Sequence, residues 1–277
     1  MIRLVVTDLD GTLWLGEGAV SETTRAAIRE LARREIPLLA ATARRSWSAA
    51  RYLRQADLDL PAVLLNGALG RDKGGDPIFH RCTFEPDAAL AVLDIFERHG
   101  VTPGANFESD EWDVVSGPAP SSGEPYIAWA GSQLRLVDDL RPMVAALPVY
   151  AFSVVACPEV AALRAVRDDL AAAGGVGMVN VFPDKVFGGW TLDSAPKGVN
   201  KWSGVEAYCR YRDLDPAAVL ARAGVGTDEV TKADEAGLAA AAPEIVAVVK
   251  RMLDGVRDGE LAPAPAEPVA AARTGWL

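Results

Sequence analysis

The sequence predicts an α/β protein, a parallel sheet flanked by helices and interrupted by an inserted α+β domain. Three observations carry that reading. Short β-branched apolar runs alternate with amphipathic helical stretches early in the chain. That rhythm breaks near residue 69, where turn signals crowd together, and returns at Lys201. The 277 residues also exceed the roughly 150 of an average single domain.

Taken in order, residues 2–7 form a buried strand that stops at acidic residues and a glycine. Ser21 caps a helix over 22–34, in which Ala26, Ala27 and Leu31 recur at helical spacing. A second strand over 37–41 precedes a helix over 46–55, and a third strand over 62–65 closes on Asn66-Gly67. The middle of the chain is punctuated by Lys73-Gly74-Gly75-Asp76-Pro77, Pro103-Gly104 and the segment 118–125, with longer helices over 88–98 and 158–172. A helix over 201–211, a strand over 219–225 and a helix over 243–254 restore the first pattern. The expected organisation is a discontinuous core of residues 1–68 and 192–255 around an inserted domain of residues 69–191. Residues 256–277, rich in Pro and Ala, cannot bury enough surface to fold alone and read as a mobile tail. Trp112, Trp129 and Trp190 fall in the inserted domain; core packing is their expected role, stacking on a ring the alternative.

Half of the residues are apolar and 24% are charged, enough to build a packed core. The net charge of 28 − 38 = −10 repels phosphate backbones and anionic lipid, and the densest basic spots are only Arg33-Arg34 and Arg44-Arg45. Nucleic-acid and membrane-surface partners are therefore not expected. Cys82, Cys157 and Cys209 are odd in number and far apart, so neither a disulfide framework nor a zinc site is indicated. An aspartate already at position 8 and the lack of any apolar run near ~18 residues point to a cytoplasmic protein. Nothing in the sequence specifies an oligomeric state.

The chemistry sits in Thr7-Asp8-Leu9-Asp10-Gly11-Thr12. Side chains two apart on a strand share a face, so Asp8 and Asp10 emerge together at its carboxyl end, where open α/β sheets bind ligands. Two neighbouring carboxylates repel unless a cation or a shared proton compensates, which calls for a metal. Gly11 permits a sharp turn that brings backbone N–H groups to the same place. The bland alternative is an acidic turn capping the next segment.

At these residues the chain resembles the haloacid dehalogenase (HAD) superfamily, whose first motif is Asp-x-Asp-Gly-Thr after the first strand. Thr42, in Ala41-Thr42-Ala43-Arg44, is similar to the second motif, with Ala43 where a glycine is usual. Asn66-Gly67-Ala68 resembles the Asn-Gly-Ala that precedes the cap domain in the Cof-type (subclass IIB) subgroup. Lys201, in Gly198-Val199-Asn200-Lys201, looks like the third-motif lysine, with Lys197 as its competitor. The fourth motif, Gly-Asp-x-x-Asn-Asp, is matched only by Thr227-Asp228-Glu229; its first aspartate is replaced by Gly224 or Val225, depending on the alignment.

The resemblance implies a Rossmann-like HAD core with a cap and an Mg²⁺-dependent phosphatase acting on a small phosphomonoester, a sugar phosphate being favoured. It implies Asp8 as nucleophile, Asp10 as acid and base, and Thr42 and Lys201 as cradle for the phosphoryl oxygens. Gly11, Thr12, Arg44, Asn66 and Gly67 would contact substrate. Asp8, Asp10, Asp228 and Glu229 would serve the metal. A phosphomutase, or a HAD-derived binding protein without turnover, are the competing expectations.

Overall fold

The computed structural model describes residues 2–14, 19–109, 111–222 and 247–252. In chain order its elements are β1 (Leu4–Thr7), α1 (Glu22–Arg33), β2 (Leu38–Ala41), α2 (Ser46–Gln55), β3 (Ala62–Leu64), β4 (Leu69–Arg71) and β5 (Ile78–Arg81). There follow α3 (Pro86–Arg98), β6 (Gly104–Asn106), β7 (Val114–Ser116), α4 (Glu124–Ala130), β8 (Leu134–Leu136), α5 (Arg141–Ala146), β9 (Ala151–Cys157) and α6 (Val160–Ala173). The last are β10 (Val176–Pro183), β11 (Trp190–Pro196), α7 (Lys201–Tyr211) and β12 (Val219–Arg222); residues 247–252 are helical. None of the described helices is long and apolar enough to cross a membrane.

The chain divides into two compact units. The first holds the residues up to 44, residues 48–80 and those from Lys201 onward. Its sheet has the order β12-β1-β2-β3-β4-β5, and β12, β1, β2 and β3 run parallel. Leu4, Val6, Leu39, Ala41 and Val63 on one face pack against Val205, Tyr208 and Cys209 of α7. Val5, on the opposite face, is fully buried too, as expected of a parallel sheet covered on both sides. Helix α1 begins where the sequence places its cap: Ser21 Oγ accepts from Thr24 N at 3.1 Å, satisfying an otherwise orphaned first-turn donor. Thr24 Oγ1 in turn donates to Met252 O at 2.8 Å, tying α1 to the helical residues 247–252.

Two expected boundaries move. The inserted domain was expected to start at residue 69, but β4 pairs antiparallel with β3 and β5 follows β4 in the same sheet, so the first unit runs on to His80. Its end was expected at 191, yet β11 pairs with β9 and β10, which keeps residues 192–200 in the second unit. Turn residues marked where the chain bends; which sheet the next strand joins depends on a partner distant in sequence. The expected tail, 256–277, lies outside the described residues, as does the part of the predicted strand beyond Arg222.

The second unit comprises residues 45–47 and 81–200 and is built on a sheet of order β10-β11-β9-β6-β7-β8. Phe152 and Val154 of β9 meet Phe96 of α3 and Leu163, Val166 and Leu170 of α6 on one face. Val155 points the other way and packs with Tyr126 and Ala130 of α4, following the two-residue period of a strand. Trp112 and Trp190 pack against the larger cluster, and Trp129 lies 5.4 Å from the Phe187 ring, so all three serve packing in this unit.

Candidate active site

Asp8 follows β1 directly, at the carboxyl end of an interior strand of the first sheet. Its Oδ1 accepts from Leu9 N at 2.7 Å and its Oδ2 from Lys201 Nζ at 2.7 Å. Burial pushes the Asp8 carboxyl above its ordinary range; the Lys201 charge and hydrogen bond and the Leu9 N–H pull it down, and the negative charge of Asp10 adds to the upward push. Lys201 opens α7, and its ammonium is brought in because α7 lies close over β3. The close approach rests on Gly204, where a Cβ would stand 2.3 Å from Val63 Cγ1. Lys197, the competing lysine, lies in the second unit, and Lys201 is the one that meets Asp8.

Asp10 sits on the turn made possible by Gly11, whose φ is +72°. Gly11 N donates to Trp14 O at 2.9 Å, closing a short loop that points the Trp14 indole back at Asp10. Trp14 Nε1 donates to Asp10 Oδ1 at 3.2 Å. Arg44 then grips the same carboxylate in a fork, Nη2 to Oδ1 at 2.6 Å and Nε to Oδ2 at 2.7 Å. The fork is itself fixed: Arg44 Nη1 donates to Ser48 Oγ at 2.8 Å, and its guanidinium lies 4.3 Å from the Tyr52 ring centroid.

Thr42 is buried at the end of β2, where its N donates to Val63 O at 2.9 Å. Its Oγ1 accepts from Arg44 N at 3.1 Å, which leaves the hydroxyl proton to be donated to an acceptor such as a phosphoryl oxygen. Asn66 adopts a left-handed conformation (φ 55°, ψ 24°), and its N donates to Thr42 O at 3.1 Å. Gly67 follows with φ 113°. Thr12 is buried behind the turn.

The structure thus joins Asp8 with Lys201, and Asp10 with Arg44, Thr42 and Asn66 through successive hydrogen bonds. Arg44, expected to face substrate, faces Asp10. Asp228 and Glu229 lie outside the described residues. Sequence reasoning missed Trp14, Ser48 and Tyr52. The signal for the last two was their spacing of four and eight from Arg44, one face of α2.

The donor set suits a hard cation. Among the described residues no three of His, Cys, Asp and Glu come together as a metal cluster. Asp8 and Asp10 nonetheless offer oxygen ligands only, and the Asp8 carboxyl stays raised despite Lys201, a residual cost of buried negative charge that a divalent ion would relieve. Mg²⁺ tolerates so small a protein contribution because it keeps several waters.

Comparison with known proteins adds a match over part of the chain and a fold. Residues 5–124 match the sequence model of haloacid dehalogenase-like hydrolases. No curated protein matches the sequence. In structure the chain is similar to a haloacid dehalogenase-like hydrolase from B. subtilis, with 15% identity, TM-score 0.64 and coverage of 79% of this chain and 82% of that one. It is similar to TM0651 from Thermotoga maritima at 20% identity and TM-score 0.61, covering 80% and 79%. The subclass IIB sugar phosphatase BT4131 matches at 14% identity and TM-score 0.59, covering 79% of each chain.

Proposed function

We propose that the chain is a hydrolase of the haloacid dehalogenase superfamily, a Cof-type phosphatase acting on a small phosphomonoester through an aspartyl-phosphate. The observation that carries this reading is the Asp8–Lys201 pair at the carboxyl end of β1, with Asp10 two residues on. Lys201 opposes the effect of burial on the Asp8 carboxyl and so favours the ionised form that a nucleophile needs, and it sets a cation where the phosphoryl charge would gather. Asp8 attacks phosphorus in line, forming a P–O bond as the bond to the leaving oxygen breaks. Asp10 donates a proton to that oxygen, then takes one from the water that hydrolyses the aspartyl-phosphate. Thr42 donates its hydroxyl, and Lys201 its ammonium, to the equatorial oxygens. The Asp8 carboxylate and the Asp10 main-chain carbonyl would hold Mg²⁺, with Asp228 or Glu229 as the further acid; the ion supplies charge neutralisation between nucleophile and phosphate.

A sugar phosphate is the favoured substrate, supported by the likeness in fold to a sugar phosphatase. The second unit, inserted between β5 and α7, is the cap of this reading and would select the leaving group. The replaced first aspartate of the fourth motif favours a second reading, a binding protein without turnover. A phosphate-release screen over phosphomonoesters, with and without Mg²⁺, decides between them. Free phosphate that depends on Mg²⁺ is expected, and its appearance as product also separates a phosphatase from a phosphomutase. A folded protein that releases none from any ester overturns the proposal.

A further inference from the structure

We infer that the second unit docks with a second copy of this chain, edge to edge, through antiparallel pairing of β10 with the same strand of the partner. A strand at the end of a sheet uses its main-chain N–H and C=O groups on one side only, and natural sheets protect such ends by keeping them short or charged. The ends β5 and β8 follow that rule, with four and three residues that include Arg81 and Arg135. The end β10 does not. It runs for eight residues without a charge, and among the described residues it pairs only with β11. Five large hydrophobic residues are exposed among those described, and two of them lie on this strand or just beyond it: Phe182, 40% exposed, and Val186, 62% exposed. A free, uncharged edge and an apolar patch therefore coincide.

The occupant that fits this edge is the same strand. The register of β10 on β11 shifts between Val176 and Met178, which leaves residues 178–182 as the regular stretch. Val179 and Val181 pack against the larger hydrophobic cluster, so Met178, Asn180 and Phe182 take the opposite face. Antiparallel pairing about a two-fold axis at Asn180 sets Met178 opposite the partner's Phe182 and Val179 opposite the partner's Val181. Each facing pair then shares one face, as a continuous sheet requires, and apolar meets apolar. Asn180 falls opposite the partner's Asn180, and each amide offers both a donor and an acceptor to the other. Charge permits the contact too. The chain carries −10 overall, yet β10 brings no like charges together. The chain's own C-terminal segment is a poorer match, because Pro263, Pro265 and Pro268 lack the N–H groups that a strand partner must supply.

Sedimentation equilibrium of the full chain tests the pairing, independently of any activity. The parent is expected to be dimeric at about 100 μM and to dissociate on dilution. Asn180→Asp and Asn180→Lys each set like charges face to face on the axis, and each should weaken dimerisation at least about tenfold. Mixed in equal amounts, the two variants should form a heterodimer at least as tight as the parent dimer. Only a contact in which residue 180 faces itself gives that recovery. Asn180 is exposed, so both variants should keep the parent's fold, which thermal unfolding checks. A parent that stays monomeric at about 100 μM overturns the inference. A dimer that neither variant weakens overturns it as well, and so do weakened variants that fail to recover on mixing. Should either variant not fold, Phe182→Lys replaces it: a dimer unchanged by that charge, placed opposite the partner's Met178, also overturns the inference.

Discussion

Lys201 Nζ donates to Asp8 Oδ2 at 2.7 Å across 193 positions of sequence, with side-chain exposures of only 8% and 14%. Each charge is deprived of water and each compensates the other, and Leu9 N–H satisfies the second carboxylate oxygen. The pair joins the end of β1 to the start of α7, so two segments of the first unit that are far apart in sequence meet at the residues expected to do chemistry.

Asp8→Asn is expected to lower kcat by about 10⁴-fold or more, because an amide cannot form the acyl-phosphate. The amide oxygen still accepts from Lys201, and loss of the charge relieves part of its burial cost. Thermal unfolding should therefore show a Tm close to the parent's. Turnover near the parent level in the folded variant would exclude Asp8 as nucleophile.

Gly204→Ala tests how Lys201 is placed. Alanine in a helix ordinarily gains up to about 1 kcal/mol over glycine. Here its Cβ would lie 2.3 Å from Val63 Cγ1, so a loss of about 1–3 kcal/mol in urea unfolding is expected, with reduced phosphate release. A stabilised and fully active variant would show that α7 shifts freely over β3.

Ser21→Ala removes the acceptor for Thr24 N and should cost about 1 kcal/mol in chemical denaturation. Ser21→Asp, which restores an acceptor, should recover most of it. A neutral Ser21→Ala would mean that water caps α1 equally well.

Burial raises the Tyr208 hydroxyl to about 12; burial, then the hydrogen bond to Glu108, raises Tyr150 to about 12. Both exceed the ordinary value of 10, so between about pH 10 and 12 the unfolded chain gives up phenolic protons that the folded chain keeps. Stability should fall as pH rises through that window. Burial raises Tyr126 and the hydrogen bond to Asp72 raises Tyr211 as well, so ultraviolet titration should show four of the five tyrosines ionising later in the folded protein than in the unfolded chain. Tyr150→Phe and Tyr208→Phe should each remove one late step.

Removal of Mg²⁺ by chelation should abolish phosphate release, and calorimetric titration should show weaker binding in Asp228→Asn than in the parent. Asp228 is the acid common to both alignments of the fourth motif, with Glu229→Gln as the companion variant. Equal affinity in the parent and Asp228→Asn would remove Asp228 from the metal site.

The site was legible where chemistry is written in short spacing. Asp8 follows the end of β1, Thr42 follows β2 and Lys201 opens α7, as local pattern placed them. However, β1 stops at Thr7, and Asp10 lies on the turn beyond it rather than on a shared strand face. The function of Arg44 was not legible that way. An arginine after a strand end can meet a substrate anion or a carboxylate, and the choice fell to Asp10, 34 positions earlier. The boundary at residue 69 failed for a similar reason. The turn residues of 73–77 are real, but they connect two strands that both join the first sheet.

The sequence by itself determined the α/β class and the alternation of strands and helices over the first 65 residues, because periodicity and turn chemistry act over a few neighbouring residues. Only the tertiary structure decided which strand β4 and β5 extend, that Gly204 lets α7 reach β3, and that Trp14 and Arg44 close on one carboxylate. Those outcomes depend on hydrogen bonds and van der Waals contacts between residues brought together by folding. Their energies exist only once the chain is packed, so no local pattern encodes them.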